Sequence, residues 1–254
     1  MSLGGSRRRW LWLGLAAFTL AAAIAVPVAA QRFYGRSYFS DQIPYTGEFT
    51  LARLWYPYYE GWSFDWPEME QNLGRILESI TAIKPNFRGS NILRMDDPNM
   101  LKFPVAYLSE PGYWHPSDAE VLALRNYILK GGFLIIDDFH FPNEWAVFEQ
   151  AMIRVLPEGR IDRLDITHPV FNVFFPIRTL EVPYPGRLGE QGLMGEFYGI
   201  HEDNDPRKRL MVVINYNMDI GDYMEHSSRG LYAVSPTNEA YKFGINYLIY
   251  GLTH

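Results

Sequence analysis

Residues 131–140 read Gly131-Gly132-Phe133-Leu134-Ile135-Ile136-Asp137-Asp138-Phe139-His140, and the fold class follows from reading outward on both sides. The glycine pair supplies the left-handed C-cap that stops a helix. Phe133-Leu134-Ile135-Ile136 is a short continuous apolar run, the mark of a strand covered on both faces. Upstream, Ser117 and Glu120 make a capping box for that helix, with Val121, Leu124 and Ile128 as its core face. A buried strand at 105–109 and a short one at 91–94 come before it, and residues 49–56 alternate as a first strand. A helix is expected after that strand, with Asp65 as N-cap, Pro67 in its first turn and Glu68 completing a capping box. Its apolar face is Met69, Leu73, Ile76, Leu77, Ile80 and Ile83, and Lys84-Pro85 ends it.

Downstream, a helix is expected over 145–156, a second buried strand over 210–214, and a closing helix over 236–250 ended by Gly251. Residues 157–209 carry short β-like pieces among many Gly and Pro and read as a β-rich insertion. Strands alternating with helices imply an α/β fold with a mostly parallel sheet. The expected organisation is one domain over 48–254, preceded by an extension at 31–47.

Residues 1–30 separate from this body. Arg7, Arg8 and Arg9 precede an apolar stretch over 10–30 that closes on Val28-Ala29-Ala30, a signal-peptidase pattern. Ser6-Arg7-Arg8-Arg9-Trp10-Leu11 also fits a twin-arginine signal. The stretch is equally long enough for a retained membrane anchor. Either reading places the domain outside the cytoplasm, periplasmic or membrane-anchored. The chain of 254 residues has a formal net charge of −6 and no cysteine. The acidic balance argues against nucleic acid as a partner. Thiol nucleophiles, disulfides and Cys-ligated metals are excluded.

Three expected strands end in polar clusters. The first runs into Glu110-Pro111-Gly112-Tyr113-Trp114-His115, the second into Asp137-Asp138-Phe139-His140, the third into Asn215-Tyr216-Asn217-Met218-Asp219, followed by Asp222, Glu225 and His226. In open α/β sheets the carboxyl ends of the strands form the ligand rim. Asp137-Asp138 reads as a helix cap with a solvated neighbour, or as a raised-pKa acid pair or divalent-metal ligand pair. His115 and His140 are candidate ligands or loop residues, and His168-Pro169 reads as a turn. Asn215, Asn217 and Asp219 fall on one strand face; Ile220 and His226 stand where a calcium loop needs Gly and Glu. Serine-hydrolase, phosphate-loop and dinucleotide signatures are absent. Residues 55–66 hold seven aromatics, either stacking surfaces for a sugar or peptide or packing beside the first strand.

Several of these segments form a pattern together. Arg53-Leu54-Trp55-Tyr56-Pro57 is followed by Gly61-Trp62 and Asp65, then Tyr107-Leu108, Ser117-Asp118-Ala119-Glu120, Leu124-Arg125-Asn126-Tyr127 and the 131–138 run. His168-Pro169-Val170-Phe171 and Asn215-Tyr216-Asn217 complete it. Over about residues 48–252 the chain resembles the bacterial family called domain of unknown function 4159. The resemblance implies a class I glutamine amidotransferase-like fold, shared with trehalose-utilisation-like proteins: a flavodoxin-like three-layer α/β/α sandwich. Some longer relatives join the domain to membrane segments of the kind found with von Willebrand A-type aerotolerance proteins. The family brings no established activity. Many relatives carry cysteine after the Asp-Asp pair, where this chain has Phe139-His140, so amidotransferase chemistry is ruled out.

The expected function is an exported, envelope-associated ligand- or partner-binding domain without cysteine-dependent catalysis. Trp62, Trp66, Tyr113, Trp114, Asn215 and Asn217 are its candidate ligand contacts, and a carbohydrate or peptide is the candidate ligand. One alternative is a metal-assisted hydrolase of an envelope glycan or peptide, using a divalent metal on Asp137, Asp138 and Asp219. Its catalytic candidates are Asp137, Asp138, His140, His115 and Glu110. The other is a structural accessory of a membrane complex.

Overall fold

Seven strands make one sheet in the order β2-β1-β3-β4-β7-β6-β5. They are β1 (Ala52–Trp55), β2 (Asn91–Arg94), β3 (Val105–Ser109), β4 (Phe133–Phe139), β5 (Asp162–Arg163), β6 (Glu196–His201) and β7 (Leu210–Tyr216). This computed structural model describes residues 39, 42–44 and 46–254. The expected signal or anchor at 1–30, and most of the extension at 31–47, lie outside the described residues. Residues 42–254 form a single contact unit. No helix among the described residues is long and apolar enough to cross a membrane.

The five strands from β2 to β7 pair in parallel, and β6 and β5 join by antiparallel pairing. The expected α/β class and mostly parallel sheet are therefore present, and the 157–209 insertion is the antiparallel edge. The helices are α1 (Glu68–Ile80), α2 (Asp118–Leu129), α3 (Phe141–Val155), the single turn α4 (Arg187–Glu190), α5 (Ile220–Glu225) and α6 (Val234–Thr253). Side chains alternate across a strand. Val105, Tyr107, Phe133, Ile135 and Val213 share one apolar cluster with Leu73 of α1, Met224 of α5 and Phe243 of α6. The intervening Ala106, Leu108, Leu134 and Ile136, equally buried, point to the opposite face, where α2 and α3 pack on each other. Backbone and side-chain bonds between Ile43 and Asn91, and from Gln42 Nε2 to the Ile92 carbonyl, lay the start of this unit along β2.

The capping box of Ser117 and Glu120 forms as expected, and Gly131 takes the left-handed φ of 111° after α2. Four expectations need correction. Asp65 does not cap α1: the N-cap position falls on Pro67, without a side-chain bond, because the Asp65 carboxylate is claimed by Arg53. Ile76 and Ile80 are exposed, since the helix turns only Met69, Leu73 and Leu77 fully inward, and it ends at Ile80, ahead of Lys84-Pro85. The helix expected over 145–156 begins four residues earlier, at Phe141. Gly251 does not stop the closing helix, which continues to Thr253. Its role is contact: a Cβ there would lie 2.8 Å from the Phe133 ring and 2.9 Å from Val105 Cγ2.

That contact decides the sign of a substitution. Helix propensity alone favours Gly251→Ala by about 1 kcal/mol, whereas overpacking costs about 1–3 kcal/mol. With Phe133 and Val105 both in the core, the overpacking term wins. Thermal denaturation of Gly251→Ala is expected to show a melting temperature lower by a few degrees; a rise would mean that α6 moves off the sheet freely.

Candidate functional site

The site is built above a buried arginine. Arg53, on β1, is fully buried. Its Nη1 and Nη2 reach the two Asp65 oxygens at 2.7 and 3.1 Å, its Nε reaches Glu70 Oε1 at 2.6 Å, and Nη1 also donates to the Trp62 carbonyl at 2.7 Å. The guanidinium lies 4.8 Å from the centre of the Tyr107 ring. A buried charge is tolerable only when paired and hydrogen-bonded, and here the aromatic loop's backbone and carboxylate supply the partners.

Tyr107 passes the connection on. Its hydroxyl donates to Asp137 Oδ2 at 2.6 Å, and the backbone N–H groups of Ile220 and Gly221 donate to the same oxygen at 2.9 and 3.1 Å. Asn215 Nδ2 donates to Oδ1 at 2.9 Å, and Tyr247 donates in turn to Asn215 Oδ1 at 2.8 Å. Asp137 thus staples β3, β4, β7 and the start of α5 together. Burial pushes its carboxyl up to about 7, while the donors from Tyr107, Asn215 and Gly221 pull the other way.

The rim face lies one residue further on. Asp138 sits at φ 59° and Glu110 at φ 55°, left-handed conformations that cost non-glycine residues about 1–2 kcal/mol each. The half-buried Asp138 carboxyl accepts from Tyr184 at 3.2 Å and from Ser109 at 3.4 Å. Burial first, then the charges of Glu110 and Asp137 on Asp138 and of Asp138 and Asp222 on Asp219, hold both carboxyls well above the usual carboxylate range. Asp219 also caps α5 through the Asp222 N–H at 2.7 Å. Glu110 accepts from Tyr59 at 3.2 Å, and burial, with Glu144 next, pushes it up to about 7. Tyr59 stacks on Tyr113 with centroids 3.9 Å apart. Beside them Tyr58, Phe64 and Tyr113 are exposed.

The expected residues divide accordingly. Glu110, Asp138, Asp219 and Tyr113 meet at the rim, and Asp137 and Asn215 lie beneath it as supports. Trp62 and Trp114 are buried core residues rather than ligand contacts, Trp62 because its loop folds back over Arg53. Trp66 is half-buried against Pro67 and Gly89. Asn217 turns away at φ 52°, accepting from the Phe141 N–H and donating to Glu196, so it leaves the face shared by Asn215 and Asp219. His115 is exposed and has no hydrogen bond or ion pair to these acids. His140 packs at the margin, 5.1 Å from the Tyr184 ring, with its N–H bonded to Glu144.

The metal set proposed from sequence does not assemble. Asp137 has its oxygens engaged by four donors, and the set of three metal-capable side chains found among the described residues is Asp222, Glu225 and His226. Sequence reasoning missed Tyr59, Tyr184 and Ser109 as rim donors. Tyr184 sits in the irregular 157–209 stretch, where no periodicity marks it.

A family model described as "Domain of unknown function (DUF4159)" matches residues 50–252. A search of curated proteins returns no match.

Two outcomes test this geometry. Arg53→Met strands two buried carboxylates and is expected to cost about 3–5 kcal/mol in denaturant unfolding; a loss under 1 kcal/mol would remove Arg53 from its central role. Glu110 ordinarily titrates at 4.5 and is raised to about 7 in the folded chain, so the folded state holds a proton that the unfolded state releases. Its stabilising contribution is complete below pH 4.5 and lost as pH rises through 7. Glu110→Gln is expected to flatten the fall in stability between pH 4.5 and 8; an unchanged slope would refute the raised Glu110.

Proposed function

We propose that this protein, which belongs to the DUF4159 family, is an exported cell-envelope domain that binds a neutral, hydroxyl-rich ligand of glycan type at this rim. The finer fold we assign is the flavodoxin-like, class I glutamine amidotransferase-like sandwich, which the strand order β2-β1-β3-β4-β7 and the two helix groups support. With no cysteine in the chain, that fold is used here without thiol chemistry. The export reading rests on the arginines and apolar stretch of residues 7–30.

One observation carries the ligand class: two protonatable carboxyls, Glu110 and Asp138, each paired with a phenol, stand by the exposed rings of Phe64 and Tyr113, which flank Tyr59. A protonated carboxyl both donates and accepts, as a phenol does, which suits hydroxyl groups. Flat aromatic surface suits the apolar face of a sugar ring. Anionic ligands are disfavoured, because Asp138, Asp219 and Glu110 crowd the rim and the nearby Arg53 is neutralised by Asp65 and Glu70. The hydrolase reading loses its metal set with Asp137 serving as a buried staple.

A glycan array followed by calorimetric titration tests the reading on the full chain. Tyr113→Ala is expected to weaken binding several-fold, on the scale of about 1 kcal/mol for one stacked ring, with the melting temperature nearly unchanged because the ring is exposed. Glycans that bind the variant as well as the wild type, or an array that stays blank while peptides bind, would defeat the assignment.

A further inference from the structure

We propose that Asp222 and His226 form the core of a transition-metal site, with Glu225 and Tyr232 orienting the two ligands and solvent completing the coordination. The four-residue spacing places both ligands on one side of the chain as α5 passes into the turn His226–Arg229. Asp222 Oδ1 lies 3.3 Å from His226 Nε2, and Glu225 Oε1 lies 3.4 Å from Nδ1 of the same ring. Asp222, Glu225 and His226 are all half-buried, with one donor atom from each lying within 4.8 Å of the others.

The ring's unused nitrogen is the deciding observation. His226 Nδ1 is buried with no hydrogen-bond partner, and Nε2 stands 3.3 Å from Asp222 Oδ1. A cation held by Nε2 and that oxygen gives the half-buried pair a common partner. A separation near 3.3 Å suits two neighbouring ligands at about 2.0–2.2 Å from one ion. Glu225 then fills the role of the outer carboxylate that fixes a metal-bound imidazole. Tyr232 donates to the other oxygen of Asp222 and holds it in place. The cluster already holds two carboxylates, Asp222 and Glu225, and a third, Asp219, caps the same helix. Arg229, 3.8 Å from Glu225, is the opposing charge.

A mixed nitrogen and oxygen set points to Zn²⁺ or a neighbouring late first-row ion; Ca²⁺ and Mg²⁺ prefer oxygen alone. The histidine pair His168 and His201 makes an internal contrast. Their Nε2 atoms are 3.0 Å apart, but His168 Nδ1 accepts the Val170 N–H. The proton therefore sits on His168 Nε2, which donates to His201, so no pair of lone pairs faces a metal there.

The test uses the full chain stripped with chelator and titrated calorimetrically with Zn²⁺, with Co²⁺ absorption as a reporter of the ligand field. One equivalent is expected to bind. Asp222→Asn and His226→Gln should each weaken binding at least tenfold, while His168→Gln leaves it unchanged. Histidine nitrogen NMR of the wild type should show Nε2 of a single ring moving on Zn²⁺ addition, which keeps the inference testable should a variant fail to fold. Absence of saturable binding, binding lost in His168→Gln instead, preference for Ca²⁺, or a proton held between Asp222 and His226 that Zn²⁺ does not displace would each overturn it.

Discussion

One buried charge organises this molecule. Arg53 has no solvent to fall back on, so the segment after β1 must return and present the Trp62 carbonyl, Asp65 and, from α1, Glu70. Removing a partner from such a group is far more costly than replacing the whole set with apolar side chains. The aromatic loop's path is thereby fixed by electrostatics before packing acts on it. Through the Tyr107 ring and hydroxyl, the same arginine reaches Asp137, and Asp137 in turn holds the start of α5. Loop, sheet and rim are joined by hydrogen bonds and one cation–π contact rather than folded as separate parts.

The rim shows what that continuum makes possible. Glu110, Asp138, Phe141 and Asn217 all adopt left-handed backbone at or just beyond the ends of β3, β4 and β7. Such conformations persist where surrounding contacts over-determine them. Asp138 also marks the point where the pairing of β4 with β7 shifts register between Ile136 and Phe139. The irregularity turns successive acids to different tasks: Asp137 inward as a staple, Asp138 toward Asp219, Ser109 and Tyr184.

The parts legible in the amino-acid sequence were those governed by local rules. The apolar runs at 105–109, 133–136 and 210–214 became the central strands, and the Ser117 and Glu120 cap formed because both partners lie within one turn. What escaped was set by tertiary contact. Asp65 carries every local mark of a helix cap, yet a guanidinium twelve residues earlier outbids the helix N–H groups. Gly251 reads as a stop signal, and only the nearness of Phe133 and Val105 reveals it as a point of close approach. Within 55–66 no periodicity separates Trp62, which is buried, from Tyr58 and Phe64, which are exposed. The rim's acids were visible as clusters, but their division into support and working face depends on backbone conformations that composition does not announce.

The two margins of the sheet carry a consequence of a different kind. Along β2, the Asn91 side chain occupies both the N–H and the carbonyl of Ile43, and Gln42 reaches the Ile92 carbonyl. At the far margin β5 is only two residues long, and those two, Asp162 and Arg163, are charged, with Arg160 bonded to Asp162. Unpaired strand margins are templates for strand exchange and fibrillar growth; brevity, charge and covering segments suppress it. Each margin here is blocked by a different one of these means, so the folded chain offers little purchase for sheet-to-sheet aggregation even when concentrated.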